Sequence, residues 1–168
     1  MHGGAAGLAW PAMSIGARFV CATAGGNRVA FSIDSVQEVL APRAITRLFH
    51  APPSLLGVVN LRGEILPVVD LSQLLGEPSS PPTLGVEARL IVVRVPIGSG
   101  AQARFAPLAL LVANLDALRD GTIDALPAGV PDVAARFARG IVATPSPAVL
   151  VIDVEKLAAV EELATLRA

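Results

Sequence analysis

The chain has one cysteine, no tyrosine, one tryptophan and two histidines, and only 16% of its 168 residues are charged. A lone cysteine cannot form an intramolecular disulfide, which points to a reducing compartment. Cys21 lies in the alternating run 18–22 with no base beside it in sequence, so it reads as a structural thiol. His2 and His50 provide no second ligand at a metal-binding spacing, and His50 beside Phe49 reads as a loop residue. Thirteen basic and fourteen acidic residues leave a net charge of −1, no footprint for nucleic acid or an anionic membrane surface. Five Phe and one Trp make no stacking platform for bases. Long apolar runs are missing too. Residues 1–17 contain no Lys or Arg and are broken by four Gly and one Pro, unlike a secretory signal. The uncharged stretch 140–152 carries Pro145 and Pro147 and falls short of the roughly 20 residues a membrane helix needs. The expectation is a cytoplasmic protein with no membrane insertion. Residues 1–15 are expected to be a flexible arm, and 16–168 a single domain.

What is present is apolar and finely divided. Hydrophobic residues make up 53% of the chain, ample to offset the entropy of ordering it. Short runs rich in Val, Ile, Leu and Phe are bounded by Gly and Pro, the pattern of a β-rich fold. Residues 19–23 and 28–33 read as a strand pair turned by Gly25-Gly26-Asn27. Asp34-Ser35 reads as the cap of a short helix over 35–40, ending before Pro42, and 45–49 as a further strand. Residues 58–61 and 65–69 form a second hairpin turned at Arg62-Gly63-Glu64, after which Asp70 caps a helix carrying Leu71, Leu74 and Leu75. Pro67 cannot donate to a ladder and is expected on an edge strand or at a bulge. The Pro-rich stretch near 76–87 divides the chain, and 90–95 and 105–113 follow as strands.

Residues 140–158 lie over 57–75 without a gap. Gly57 matches Gly140, Val68 matches Val151, Asp70 matches Asp153, and thirteen residues separate Gly from Asp in both copies. The copies part at the turn, where Asn60-Leu61-Arg62-Gly63-Glu64 becomes Ala143-Thr144-Pro145-Ser146-Pro147. A shared fold with function concentrated on the first turn is the expectation.

Catalytic signals are thin. Gly98-Ser99-Gly100 lacks the Lys-Ser/Thr of a phosphate loop, and there is no Gly-x-Ser-x-Gly. Asp34, Glu38, Glu64 and Asp70 are accounted for as caps, surface and turn, although an acid–base carboxylate pair in a cleft stays open as an alternative. Arg62 suits planar, bidentate contacts at an interface.

The segment Leu56-Gly57-Val58-Val59-Asn60-Leu61-Arg62-Gly63-Glu64-Ile65-Leu66-Pro67-Val68-Val69-Asp70-Leu71 resembles the signature of the CheW-like family, the coupling proteins of bacterial chemosensory arrays. Asp34-Ser35-Val36-Gln37-Glu38-Val39-Leu40, followed by Pro42, is similar to its second recognisable stretch. The resemblance covers about residues 16–160. It implies a mainly β fold of two intertwined five-stranded SH3-like β-barrels with short helices and a C-terminal helix. It also implies no catalysis and no cofactor. The implied partners are the regulatory domain of a CheA-type histidine kinase and the cytoplasmic tip of a methyl-accepting chemoreceptor, whose helix a groove between the barrels takes. By motif, Val36 and Glu38 resemble receptor-facing positions on the first short helix, Arg62 the Arg of the Asn-Leu-Arg-Gly turn, and Ile33 and Val59 groove lining. The second half departs from the family where Leu110-Leu111-Val112-Ala113-Asn114 replaces a Val-Asp strand end, and again at 144–147. No kinase-contact residues are assigned. An adaptor for a divergent, non-motility pathway is the alternative.

Overall fold

In the computed structural model, residues 17–77, 84–98, 100–143 and 148–158 are described. The arm 1–15, part of the divider, the second turn 144–147 and the chain beyond 158 lie outside them.

Among the described residues, eleven strands form two sheets. β1 (Ala17–Ala24), β2 (Asn27–Ser32), β8 (Asn114–Gly121), β9 (Ile123–Asp124), β10 (Ala138–Val142) and β11 (Val149–Ile152) build one, in the order β8-β1-β2-β11-β10-β9. β3 (Val36–Leu40), β4 (Leu55–Leu61), β5 (Glu64–Asp70), β6 (Arg89–Ile97) and β7 (Arg104–Val112) build the other, in the order β3-β6-β7-β5-β4. The first sheet therefore has six strands where five are expected, the extra one being the two-residue β9. Each sheet draws strands from both halves of the sequence: β3 leaves β2 for the second sheet, and β8 leaves β7 for the first. That exchange is what makes the two units intertwined.

The repeat extends well past the segment legible in sequence. Val68 pairs in parallel with Ala109, and its match Val151 pairs in parallel with Ala30. On that register Val36 and Leu115 are equivalent, opposite Val93 and Ala22 respectively. Both exchanged strands carry a register shift there, between Val36 and Glu38 in one and opposite Val20–Ala22 in the other. A Cβ on Gly57 would stand 2.1 Å from the Thr46 carbonyl oxygen, and one on Gly140 would stand 2.3 Å from that of Asp124. In both units, then, glycine admits the backbone of the preceding segment.

Burial explains why the central strands read as unbroken apolar runs. On β6 and β7, Leu90, Val92, Ala109 and Leu111 pack into a cluster inside the second sheet with Val59 and Leu66. The alternate residues Ile91, Val93, Leu108 and Leu110 pack into a core shared with Phe31 of the first sheet. Phe19, Cys21 and Val149 form the first sheet's own cluster. Both faces of these strands are buried, so polar alternation disappears. Burial also pushes the Cys21 thiol above its ordinary pKa, as suits a structural cysteine.

Three local readings change. Residues 36–40 form a strand, not a helix: the bulge adds a residue, so Val36 and Val39 at helical spacing both pack on the shared core. Ser35 Oγ donates to the Ser32 carbonyl at 2.7 Å, closing a single 3-10 turn, Ile33–Ser35, before that strand. Residues 45–49 make only an isolated bridge, Thr46 with Val58. Pro67 is on an interior strand, and the register shift of its hairpin falls at Leu55–Gly57; β5 pairs with β7 only from Val68 onward, so Pro67 needs no donor on that side.

α1 (Leu71–Leu74) and α3 (Val154–Leu157) follow the repeated Asp residues, while α2 (Asp132–Ala135) leads into β10. Asp70 accepts from Ser72 N at 3.0 Å, as Asp153 does from Glu155 N at 3.0 Å. Asp70 also accepts from Ser72 Oγ and Gln73 Nε2 and is 7% exposed. Asp70→Ala is expected to cost about 2 kcal/mol and Asp153→Ala about 1, compared by thermal unfolding of the two variants.

Candidate functional site

The turn of the signature hairpin is a two-residue loop. Leu61 pairs with Glu64, and Arg62 (φ 52°) and Gly63 (φ 85°) both lie at positive φ, as a type I′ turn requires. Asn60 Oδ1 accepts from Gly63 N at 2.9 Å and holds the turn from beneath. Arginine is a poor residue for left-handed backbone, where Asn or Gly is favoured. The hairpin thus keeps Arg62 at a conformational cost, and such strain gathers at functional positions.

The Arg62 guanidinium grips the Glu38 carboxylate. Nη1 donates to Oε1 at 3.0 Å and to Oε2 at 3.1 Å, and Nη2 donates to Oε2 at 3.1 Å. Glu38 is on β3 and Arg62 follows β4, the strands at opposite ends of the five-stranded sheet. The pair spans from one end of the sheet to the other, reinforced by the Thr46–Val58 bridge with both N···O distances at 2.8 Å. The Glu38 side chain is 24% exposed and that of Arg62 70%, so one anchors and the other is presented. The internal repeat supplies a comparison. Glu38 is equivalent to Ala117 on β8, and Arg62 matches Pro145 in sequence. The second unit has lost both halves of the pair.

Where the chain crosses from β2 to β3, a groove of about 710 Å³ opens between the sheets; Val36 and Gln37 of the strand that carries Glu38 line it, and neither Glu38 nor Arg62 does. It is lined by Ser32 and residues 34–37, by Arg94, Pro96 and Phe105, and by Arg139 with residues 151–155. Arg94 reaches Gln37 at 3.5 Å, whereas the side chains of Asp34, Arg139 and Glu155 have no partner among the described residues. The groove is therefore of mixed character, Val36, Phe105, Val151 and Val154 sharing its lining with charges of both signs.

The five candidate residues separate accordingly. Glu38 and Arg62 are in contact, Val36 lines the groove, and Ile33, 39% exposed, sits in the crossover turn without lining it. Val59 is core, 2% exposed among Leu61, Leu66 and Leu90, so its side chain lines no groove. The alternation of β4 turns Val58 outward instead, a difference of one residue that exchanges faces. Phe105 and Arg139 escaped sequence reading, because neither belongs to a local motif and each reaches the groove only through sheet pairing.

Asp70, the one buried carboxylate among the described residues, is occupied as a helix cap. No group of three or more metal-ligating side chains converges among the described residues. No helix among them is long and apolar enough to cross a membrane.

The sequence pattern of the CheW-like domain matches residues 18–162. A probable chemotaxis protein CheW of Rhizobium etli is 32% identical over 136 residues, covering 79% of this chain and 81% of the relative. The chemotaxis protein CheW of Rhizobium meliloti is 29% identical over 150 residues, covering 88% and 90%. The crystal structure of the scaffolding protein TtCheW from Thermoanaerobacter tengcongensis superposes with a TM-score of 0.73 at 23% identity, covering 88% of this chain and 96% of that one. This chain belongs to the CheW-like domain family.

Proposed function

We propose that this chain is a non-catalytic cytoplasmic scaffold that couples the helical tip of a methyl-accepting chemoreceptor to the regulatory domain of a CheA-type histidine kinase. The observation that carries this reading is the Glu38–Arg62 clamp, on the strand whose Val36 and Gln37 line the inter-sheet groove, present in one unit of the repeat and absent from the other. Its placement suits a surface that takes an amphipathic helix: apolar groove contacts supply affinity and rim charges fix register.

Calorimetric titration of the folded protein tests the two arms separately, against the receptor's cytoplasmic hairpin and against the kinase regulatory domain. Saturable binding of both is the expected result. Binding of the receptor alone would make this an adaptor for a divergent pathway, and binding of neither would sink the coupling function.

A further inference from the structure

Between Glu38 and Glu64 the chain contains Arg43, Arg47, His50 and Arg62 and no acidic residue. Arg62 is taken up by Glu38, and Arg43 Nη1 reaches only the Asn60 carbonyl, at 3.5 Å. The side chains of Arg47 and His50 are exposed and have no hydrogen bond or ion pair among the described residues. Next to His50, Phe49 stands 95% exposed. The backbone that presents these groups is pinned on both sides. Ile45 packs on the cluster inside the second sheet, Leu48 and Ala51 pack on the shared core, and Thr46 exchanges two hydrogen bonds with Val58. A ring held this way in water gains by meeting apolar surface and loses little entropy in doing so.

The internal repeat shows that the fold does not require this exposure. Asp70 N donates to the Ser54 carbonyl at 2.7 Å and Asp153 N to the Phe137 carbonyl at 2.8 Å, so Ser54 and Phe137 are equivalent. In the second unit that position sends its ring into the shared core, where Phe137 is 3% exposed, and the match of Phe49 is Asp132. The first unit reverses the arrangement. Its core position holds Ser54, whose buried Oγ has no hydrogen-bond partner among the described residues, and its ring lies outside. Both exchanges cost stability, one by forgoing apolar burial and the other by burying an unpaired hydroxyl. Charge differs as well: residues 122–137 carry Asp124, Asp132 and Arg136, where the first unit has only basic groups.

We propose that residues 43–50 form a docking surface for an acidic polypeptide segment, which covers Phe49 with an apolar side chain and sets carboxylates against Arg43 and Arg47. Two arginines and one ring are too few to hold the protein on an anionic lipid surface, where each basic residue adds only about 1 kcal/mol. They suit a short peptide, in which charge gives orientation and one buried ring gives most of the affinity. None of these residues lines the inter-sheet groove, and the inference stands apart from the coupling function.

The probe is a dye-labelled peptide of repeated Asp-Glu-Leu triplets, titrated by fluorescence anisotropy against the full chain. Saturable binding that weakens with added salt is expected. Phe49→Ser and Arg47→Glu should each lower affinity about tenfold, with the unfolding temperature preserved because both side chains are exposed. Arg119→Glu makes the same change of net charge on exposed β8 and should bind as the unchanged protein does. A folded, unchanged protein that leaves the peptide unbound would overturn the proposal, as would equal losses in Arg47→Glu and Arg119→Glu. Tighter capture by phosphatidylserine vesicles than by the peptide would assign the surface to a membrane and overturn it too.

Discussion

Gly57→Ala is expected to lower stability by about 3–5 kcal/mol. Gly57 has φ 149°, which side chains rarely adopt, and its Cβ would meet the Thr46 carbonyl oxygen at 2.1 Å and carbonyl carbon at 2.8 Å. Both obstacles are backbone, so no rotamer relieves them. The bridge between Thr46 and Val58 has to open, releasing two hydrogen bonds that tie the end of the second sheet. For a chain of this length the unfolding temperature should fall by roughly 10 °C or more. Gly63→Ala is the control. Gly63 also has positive φ (85°), but nothing lies within 4 Å of its Cβ position. That substitution should cost about 1 kcal/mol, from backbone conformation alone. Equal losses in the two variants, measured by thermal or urea unfolding, would refute the close approach at Gly57.

The second prediction separates stability from binding. Arg62→Asn puts a residue at ease in left-handed backbone into the first position of the turn. The bidentate contact to Glu38 is lost, but the Arg62 side chain is 70% exposed, and surface pairs of this kind contribute only about 0–1 kcal/mol. Relief of backbone strain is of similar size, up to about 1 kcal/mol. Stability should therefore hold or rise slightly, while affinity for the receptor hairpin drops about tenfold or more. Arg62→Lys keeps the charge but not the planar fork, and should bind nearly as poorly. An Arg62→Asn protein that binds the hairpin as well as the original would remove the clamp from the recognition surface. One that unfolds markedly earlier would make the pair a structural tie instead.

The sequence by itself determined the features encoded within a few residues. Gly25-Gly26 and Arg62-Gly63 fold tight turns because φ is a local property, and Asp70 and Asp153 cap helices because a carboxylate reaches only the next two or three amides. The gapless repeat and the family signature were legible for the same reason, being patterns of order along the chain. Tertiary structure alone decided which sheet each strand joins. Val36 and Val39 at helical spacing became a strand only because β6 was there to pair with them across a bulge. Val59 went inward and Val58 outward because Leu55, Gly57, Val59 and Leu61 alternate onto the buried face of β4, and which face is buried depends on what packs against the sheet. Glu38 and Arg62, 24 residues apart, met because the second sheet brings its two ends together. Phe105 reached the groove because β7 carries it there. Pairing between distant strands is settled by the burial that both partners gain together, and neither strand's own residues contain that sum.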